Sequence, residues 1–364
     1  MASVLYALCG HGRGHLSRAL AVAAALRESG HAVRFQTGGE AYETLVELGE
    51  PVAHVPALRQ VMRRNRVRLL ATARANTRAA VRGPVTIDAL TETLSGSRPD
   101  LVVSDFEPFV PRAARRLGVP VVSLSRQQVL TEARCAVSPR YRFSATATAL
   151  GTRFLAAPRP VRVVVPTFYS PPVRDPSRTV LVPPVLRPSV MRLRLSRAIR
   201  FGERVLVYLN EGDGCEPLLR TLAAVGAPFT VYGAAPERPL GSYPNLTFRT
   251  PSLDGFLRDL ARCRAVISTA GFTLLSEAIH LGKPVLALPN HGFFEQVLNA
   301  QHLQRSGRGD AVFGRLPRPA EIEAFLARFP QPFPPKTEAE TGNAAVVRVL
   351  EEVVMTAQPL RVAA

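Results

Sequence analysis

Short, continuous apolar runs recur along this chain, each followed by a polar, often glycine-bearing turn and then a segment of helical periodicity. Val4–Leu8 reads as a buried strand. It passes through Gly10-His-Gly-Arg-Gly-His15 into an apolar-periodic helix expected from Leu16 to Ser29, which Gly30 closes. His31–Gln36 is the next strand, so β-loop-α-β is complete by residue 36. The same reading gives a helix near Glu40–Leu48, a short strand at Ala53–Val55, a basic helical region from Leu58 to Val81 and a helix around Thr86–Leu94. The strand Leu101–Ser104 then carries Asp105 at its end. A helix at Pro111–Leu117, a strand at Val119–Leu124, a helix over Tyr141–Ala156 and a strand at Val161–Val165 follow.

Residues 166–188 are rich in proline, enclose the strand-like Thr179–Val182, and are the best place for a domain boundary. A second series begins at the strand Arg204–Leu209 and the loop Asn210-Glu-Gly-Asp-Gly214. It continues with a helix to Gly226 and strands at Phe229–Tyr232 and Leu246–Phe248. A helix over Ser252–Ala261 has Ser252 as its N-cap and Asp254 in its first turn. The strand Ala265–Ile267 then runs into Ser268-Thr-Ala-Gly-Phe-Thr-Leu-Leu-Ser-Glu277, with a helix starting near Phe272 or Thr273. Next come Gly282-Lys-Pro284, the strand Val285–Leu288 and a polar loop, Pro289–Gln296. Helices at Ala320–Phe329 and Asn343–Met355 complete the chain. Two successive β-α-β series imply an α/β protein of two facing doubly wound, Rossmann-like parallel-sheet domains with a cleft between them. The expected division is 1–185, 186–335, and a last segment, 336–364, whose helix packs back on the first domain.

Length supports this division, because 364 residues exceed one ordinary core. No apolar stretch approaches the ~18 residues of a membrane span. Polar residues interrupt the apolar start, so no signal peptide is expected. Cys9, Cys135, Cys215 and Cys263 are scattered without a Cys-x-x-Cys pair, which argues against a zinc site or disulfide framework and fits a reducing cytoplasm. The formal charge of +18 is almost wholly arginine, since only Lys283 and Lys336 are lysines. Either a general preference for Arg over Lys or attraction to an anionic surface or substrate accounts for the excess. Two clusters stand out: Arg59, Arg63, Arg64, Arg66, Arg68, Arg74, Arg78 and Arg82, and then Arg187, Arg192, Arg194, Arg197 and Arg200. Neither is interleaved with aromatics, so no nucleic-acid partner is expected, and an anionic membrane surface is the alternative for the region 59–82.

The first glycine turn is not a dinucleotide fingerprint. Its spacing differs, and Gln36, Gly38 and Gly39 stand where an acidic residue would hold a ribose. Gly12 and Gly14 open the turn toward a phosphate or an acceptor, and His15 at the helix start is placed to accept a proton near neutral pH. Asp105, on a neighbouring strand tip, either orients His15 or caps its own loop, and Glu107 competes for the same role. Asn210, Gly212 and Gly214 form either a phosphate nest or an ordinary turn. At the second glycine turn, the free amides of a helix start favour an anion, with the hydroxyls of Ser268, Thr269 and Thr273 free to donate. Glu277 lies on the same helix face as Thr273, within reach of a sugar hydroxyl. Glu295 and Gln296 suit adjacent sugar hydroxyls, with Asn299 bracing their loop.

Taken together, Gly271 to Glu277, Gly282-Lys-Pro284, Pro289 and Glu295-Gln-x-x-Asn-Ala300 resemble the GT-B glycosyltransferases of the UDP-glycosyltransferase and family 28 group, over nearly the whole chain. That group includes the transferase of lipid-linked peptidoglycan precursors. The resemblance implies that Glu277 binds the ribose of a nucleotide sugar, and that Gly271, Phe272 and Thr273 hold its diphosphate. Glu295 and Gln296 would hold the donor sugar, and His15 would be the base with Asp105 as its partner. Thr269 departs from the pattern, because many members carry a phosphate-binding histidine there. The implied chemistry is inverting transfer from a nucleotide diphosphate sugar, a UDP-sugar by the resemblance, to a hydroxyl acceptor, lipid-linked in one version. No cofactor is expected, and with no Asp-x-Asp motif no metal. The expected location is cytoplasmic, with a variant peripheral to the inner face of the membrane. A nucleotide-sugar 2-epimerase of the same fold is the alternative, and a basic nucleic-acid-binding protein is the third.

Overall fold

In the computed structural model, which describes every residue except 59–60, 64–65, 68, 196–198, 200, 210–214, 235–242, 251, 291, 332, 335–340 and 358–364, the apolar runs of the first half become one parallel sheet. The elements are β1 (Ser3–Leu8), α1 (Arg13–Glu28), β2 (Ala32–Thr37), α2 (Gly39–Glu47) and β3 (Val52–His54). A small antiparallel hairpin, β4 (Met62–Arg63) and β5 (Arg66–Val67), precedes α3 (Leu69–Ser97). Then come β6 (Leu101–Asp105), α4 (Val110–Arg116), β7 (Val121–Leu124), α5 (Val129–Glu132), α6 (Arg142–Leu155), β8 (Arg162–Pro166) and β9 (Thr179–Val182). The sheet order is β3-β2-β1-β6-β7-β8-β9, a doubly wound arrangement.

Both faces of this sheet are covered, which is why its strands read as unbroken apolar runs. Val4, Tyr6 and Leu8 point into one core with Val22 and Leu26 of α1 and Val346, Leu350 and Val353 of the last helix, Gly342–Ala357. Leu5 and Ala7 point the other way, against Leu90 and Leu94 of α3 and Ala113 and Ala114 of α4. Each fully buried aliphatic side chain of this kind contributes about 1.5–3 kcal/mol. The compact unit so formed takes in Met1–Val61, Arg68–Arg187 and Glu340–Ala364.

One expectation fails here. The two helices expected at 58–81 and 86–94 are instead a hairpin and a single helix, with Pro84 inside it. Proline in a helix interior removes a hydrogen bond and costs about 3 kcal/mol. The stripe Ala79, Ile87, Leu90 and Leu94 runs straight through that position onto the core, and its burial outweighs the local penalty.

The second unit comprises Met62–Val67 and Pro188–Ala339. It holds α7 (Pro188–Leu195), β10 (Val205–Tyr208), α8 (Glu216–Ala223), β11 (Phe229–Tyr232), β12 (Leu246–Arg249), α9 (Leu253–Arg262) and β13 (Ala265–Ser268). These are followed by α10 (Phe272–His280), β14 (Val285–Ala287), α11 (Phe294–Arg305), β15 (Gly309–Ala311) and α12 (Pro319–Arg328). All six strands are parallel, in the order β12-β11-β10-β13-β14-β15. Ser252 caps α9 by accepting from the Gly255 amide at 3.3 Å. Helices α7 and α11 and strand β15 have no counterpart in the sequence reading, α7 and β15 being short and α11 starting inside the stretch read as a polar loop. Among the described residues no helix is long and apolar enough to cross a membrane.

Candidate active site

In each sheet the strand order reverses at one point, between β1 and β6 and between β10 and β13. Open α/β sheets take ligands outside the carboxyl ends of the strands at such points. Leu8 and Asp105 are register partners at the first reversal, Tyr208 and Ser268 at the second. The candidate residues gather at both.

At the first, the chain leaves β1 through a turn that only glycine suits. A Cβ on Gly10 would lie 2.3 Å from the Gly38 carbonyl oxygen, and Gly12 has φ 94° as the N-cap of α1. Gly14 follows within the first turn of α1. This brings His15 to Asp105, with Nδ1 2.8 Å from Oδ1. The carboxylate is fully buried and has further partners. Arg18 donates to it from Nε (2.8 Å to Oδ2) and from Nη2 (2.6 Å to Oδ1), and the Tyr6 hydroxyl lies 3.3 Å from Oδ2. Burial alone would raise Asp105, but the Arg18 guanidinium and His15 together hold it below the usual carboxylate range. Burial, with Asp105 adding to it, pushes the Tyr6 phenol well up, so Tyr6 stays a neutral donor.

The hydrogen bonds select one histidine tautomer. The Ser125 hydroxyl donates to Gln127 Oε1 at 2.6 Å, which turns the Gln127 amide nitrogen toward His15 Nε2 at 3.4 Å. Nε2 is then the acceptor and Nδ1 carries the proton donated to Asp105. The Phe106 ring stacks on the imidazole with centroids 5.9 Å apart, and its backbone has φ 63°, a strained conformation for an aromatic residue. The sequence reading missed Arg18 and Gln127. Arg18 was findable in principle, being three residues beyond His15 on the same helix face.

Glu107 does not join this group. Its two carboxylate oxygens accept from the Phe109 and Val110 amides at 2.9 and 2.7 Å, so it caps the start of α4. Burial pushes its carboxyl up to about 7. The loop-capping role weighed for Asp105 is thus filled two residues later, and the carboxylate of Asp105 is turned to His15. Asn210, Gly212 and Gly214 lie outside the described residues, as do Arg59, Arg64, Arg68, Arg197 and Arg200 of the arginine clusters.

At the second reversal, β13 ends on Ser268, whose buried Oγ has no hydrogen-bond partner among the described residues. Buried Thr269 and then Ala270, with φ 64°, turn the chain into Gly271, the N-cap of α10. Among the described residues no side chain caps this helix and its first turn holds no acid, so the positive end of the helix dipole suits an anion. Among the described residues a Cβ at Gly271 would meet nothing within 4 Å. Thr273 is half-buried, and Glu277, farther along α10, is buried.

Asn299, expected to brace the 289–296 loop, donates to the Ala270 carbonyl at 3.1 Å and so supports the strained turn from α11. Gln296 does the bracing, with Oε1 accepting from the Asn290 amide at 2.8 Å beside buried Pro289. Because α11 starts at Phe294, the half-buried Glu295 and the buried Gln296 sit in a helix first turn rather than a loop. Lys283 is structural. Its buried Nζ donates to the carbonyls of Ala261 and Cys263 at 2.9 and 2.8 Å, and burial pushes it down to about 8.

Two doubly wound sheets, one ending on a histidine–carboxylate pair and the other on a helix start without a side-chain cap, agree with the resemblance drawn from the sequence motifs. The profile of glycosyl transferase family 1 matches residues 2–330. The chain belongs to that family. This glycosyltransferase is 24% identical over 342 residues to an uncharacterized glycosyltransferase of Methanosarcina acetivorans, covering 84% of each chain. Solved structures share its fold at lower identity. The glycotransferase of kitacinnamycin superposes with a TM-score of 0.64 at 15% identity, covering 98% of this chain and 95% of that one. MurG of Acinetobacter baumannii gives 0.63 at 15% identity over 97% and 100%. The calicheamicin glycosyltransferase CalG4 gives 0.60 at 17% over 100% and 96%. The fold expectation, two doubly wound parallel sheets of GT-B type, therefore holds.

Proposed function

We propose that this glycosyltransferase moves a sugar from a nucleotide diphosphate donor, of UDP type, to an acceptor hydroxyl with inversion and without a metal. The observation that carries the reading is the pair His15–Asp105, with Nδ1 committed to the carboxylate and Nε2 left as the acceptor. In the proposed step the acceptor hydroxyl gives its proton to Nε2. Its oxygen forms the new bond to the anomeric carbon, and the electron pair of the breaking C–O bond leaves with the diphosphate. The open start of α10, with Ser268, Thr269 and Thr273, would take the diphosphate, where dipole and amides stabilise departing charge. Glu277, Pro289, Glu295 and Gln296 would line the rest of the donor site. Gly12 and Gly14 would lie on the acceptor side.

A membrane-facing acceptor is the finer part of the proposal. Phe143, Leu150 and Phe154 of α6 are 82, 63 and 64% exposed, among exposed Arg140, Arg142 and Arg153. On α3, exposed Val81 and Val85 stand among exposed Arg74, Arg78 and Arg82. Apolar side chains ringed by arginine suit an anionic lipid surface.

A thermal-shift panel of nucleotide diphosphate sugars tests the donor. One donor is expected to stabilise the wild type selectively and to lose that effect in Glu277→Ala. No response to any donor would sink the reading.

A further inference from the structure

We propose that Arg18 is a positioning residue for proton transfer: by neutralising the buried Asp105 carboxylate it keeps His15 a free base rather than half of an imidazolium–carboxylate pair. This rests on the role proposed for His15. The geometry is two-pointed, with Nε on Oδ2 at 2.8 Å and Nη2 on Oδ1 at 2.6 Å, and Nη2 also lies 3.1 Å from His15 Nδ1. Arg18 is 8% exposed, Asp105 0% and the His15 side chain 12%, so water screens these charges little.

Of the other described groups named near the imidazole, only the Glu107 carboxyl titrates near neutrality. From β1, Tyr6 meets Asp105 as a phenol, and burial pushes the Cys9 thiol up to about 11. The Gln127 amide and the Phe106 ring also face it, and the Glu107 carboxyl is turned to α4. With Arg18 present, Asp105 and Arg18 cancel, and a proton on His15 leaves one buried positive charge. Without Arg18, the same proton would cancel Asp105 instead. Arg18 therefore disfavours the resting imidazolium, which cannot act as a base, while fixing the carboxylate that holds Nδ1–H in place.

The test follows the carbon-13 signal of the His15 imidazole through a pH titration of the full chain, assigned by its loss in His15→Gln. In Arg18→Met the midpoint is expected to rise by at least about one pH unit, a tenfold loss of the neutral form near neutrality. The acid limb of kcat/KM should rise with it. Arg18→Lys, which keeps a charge but not the two-point contact, should give a smaller rise, and it carries the test if Arg18→Met does not fold. A midpoint that stays or falls in a folded Arg18 variant overturns the proposal. Failure of the His15 reading shows separately, as full transfer by His15→Gln with the midpoint shift in the Arg18 variants intact.

Discussion

The first sheet ends on ionised side chains, and the second ends on backbone. At β1 and β6 a buried carboxylate sits between a guanidinium and an imidazole. At β13 the groups on offer are amides, hydroxyls and a helix dipole, with no charged side chain in the turn itself. Both places are topologically the same reversal of a doubly wound sheet, and both carry a non-glycine residue in the left-handed conformation, Phe106 and Ala270. The difference teaches that the fold supplies only the location. A site that moves a proton needs titratable groups whose charges are balanced in advance. A site that holds a diphosphate needs donors that cannot titrate away.

The largest effect expected from breaking this contrast is on the ionised side. His15→Ala should lower turnover of the donor found by thermal shift by about 10²–10⁴-fold with the melting temperature little changed. A variant that keeps its full transfer rate removes His15 as the base, and product analysis separates transfer from epimerisation. Asp105→Ala should also cost stability, about 3–5 kcal/mol as read by urea unfolding, because Arg18 is left buried without its carboxylate. An equally stable variant would mean that the buried ion pair is not what holds this strand end together.

A pH effect comes next. The Glu107 carboxyl is raised from 4.5 to about 7 in the folded chain, so folding favours its protonated form. Its contribution to stability is therefore fully present below about pH 4.5 and is lost as pH rises through about 7. Unfolding at a series of pH values should show that decline in the wild type and a flatter profile in Glu107→Gln. Asp105 acts in the opposite sense, since its lowered carboxyl adds stability that is lost only in acid. The smallest effect belongs to the second strand end. Ala270→Gly should relieve a left-handed alanine and raise stability by about 1 kcal/mol, and a loss of stability there would mean the turn is not strained.

Much of this contrast was legible in the sequence, and what was not has a common cause. Buried parallel strands are continuous apolar runs, so most strands were found from composition alone. The helix starts at α1 and α10 were legible because glycine turns are local. The rule that strand ends collect ligands made Asp105 a candidate partner for His15, with Glu107 competing. What stayed hidden depends on contacts distant in sequence. Examples are the Arg18 guanidinium on a carboxylate 87 residues away, Gln127 against Nε2 and Lys283 on the carbonyls of Ala261 and Cys263. Pro84 misled for the same reason, since packing onto the core overrode a local signal. Glu107 and Asp105 are near-equivalent in sequence, and only the position of α4 assigns their roles.

The central claim is that the open start of α10 receives the donor diphosphate, and Gly271 is the place to test it. Its φ of −64° and ψ of 129° suit any residue, and a Cβ there meets nothing within 4 Å among the described residues. Gly271→Val should therefore fold with unchanged or slightly higher stability, yet bind the diphosphate of the preferred donor at least about tenfold more weakly by calorimetry, a loss of ~1.4 kcal/mol. A folded Gly271→Val variant that binds that diphosphate as tightly as the wild type would contradict the account.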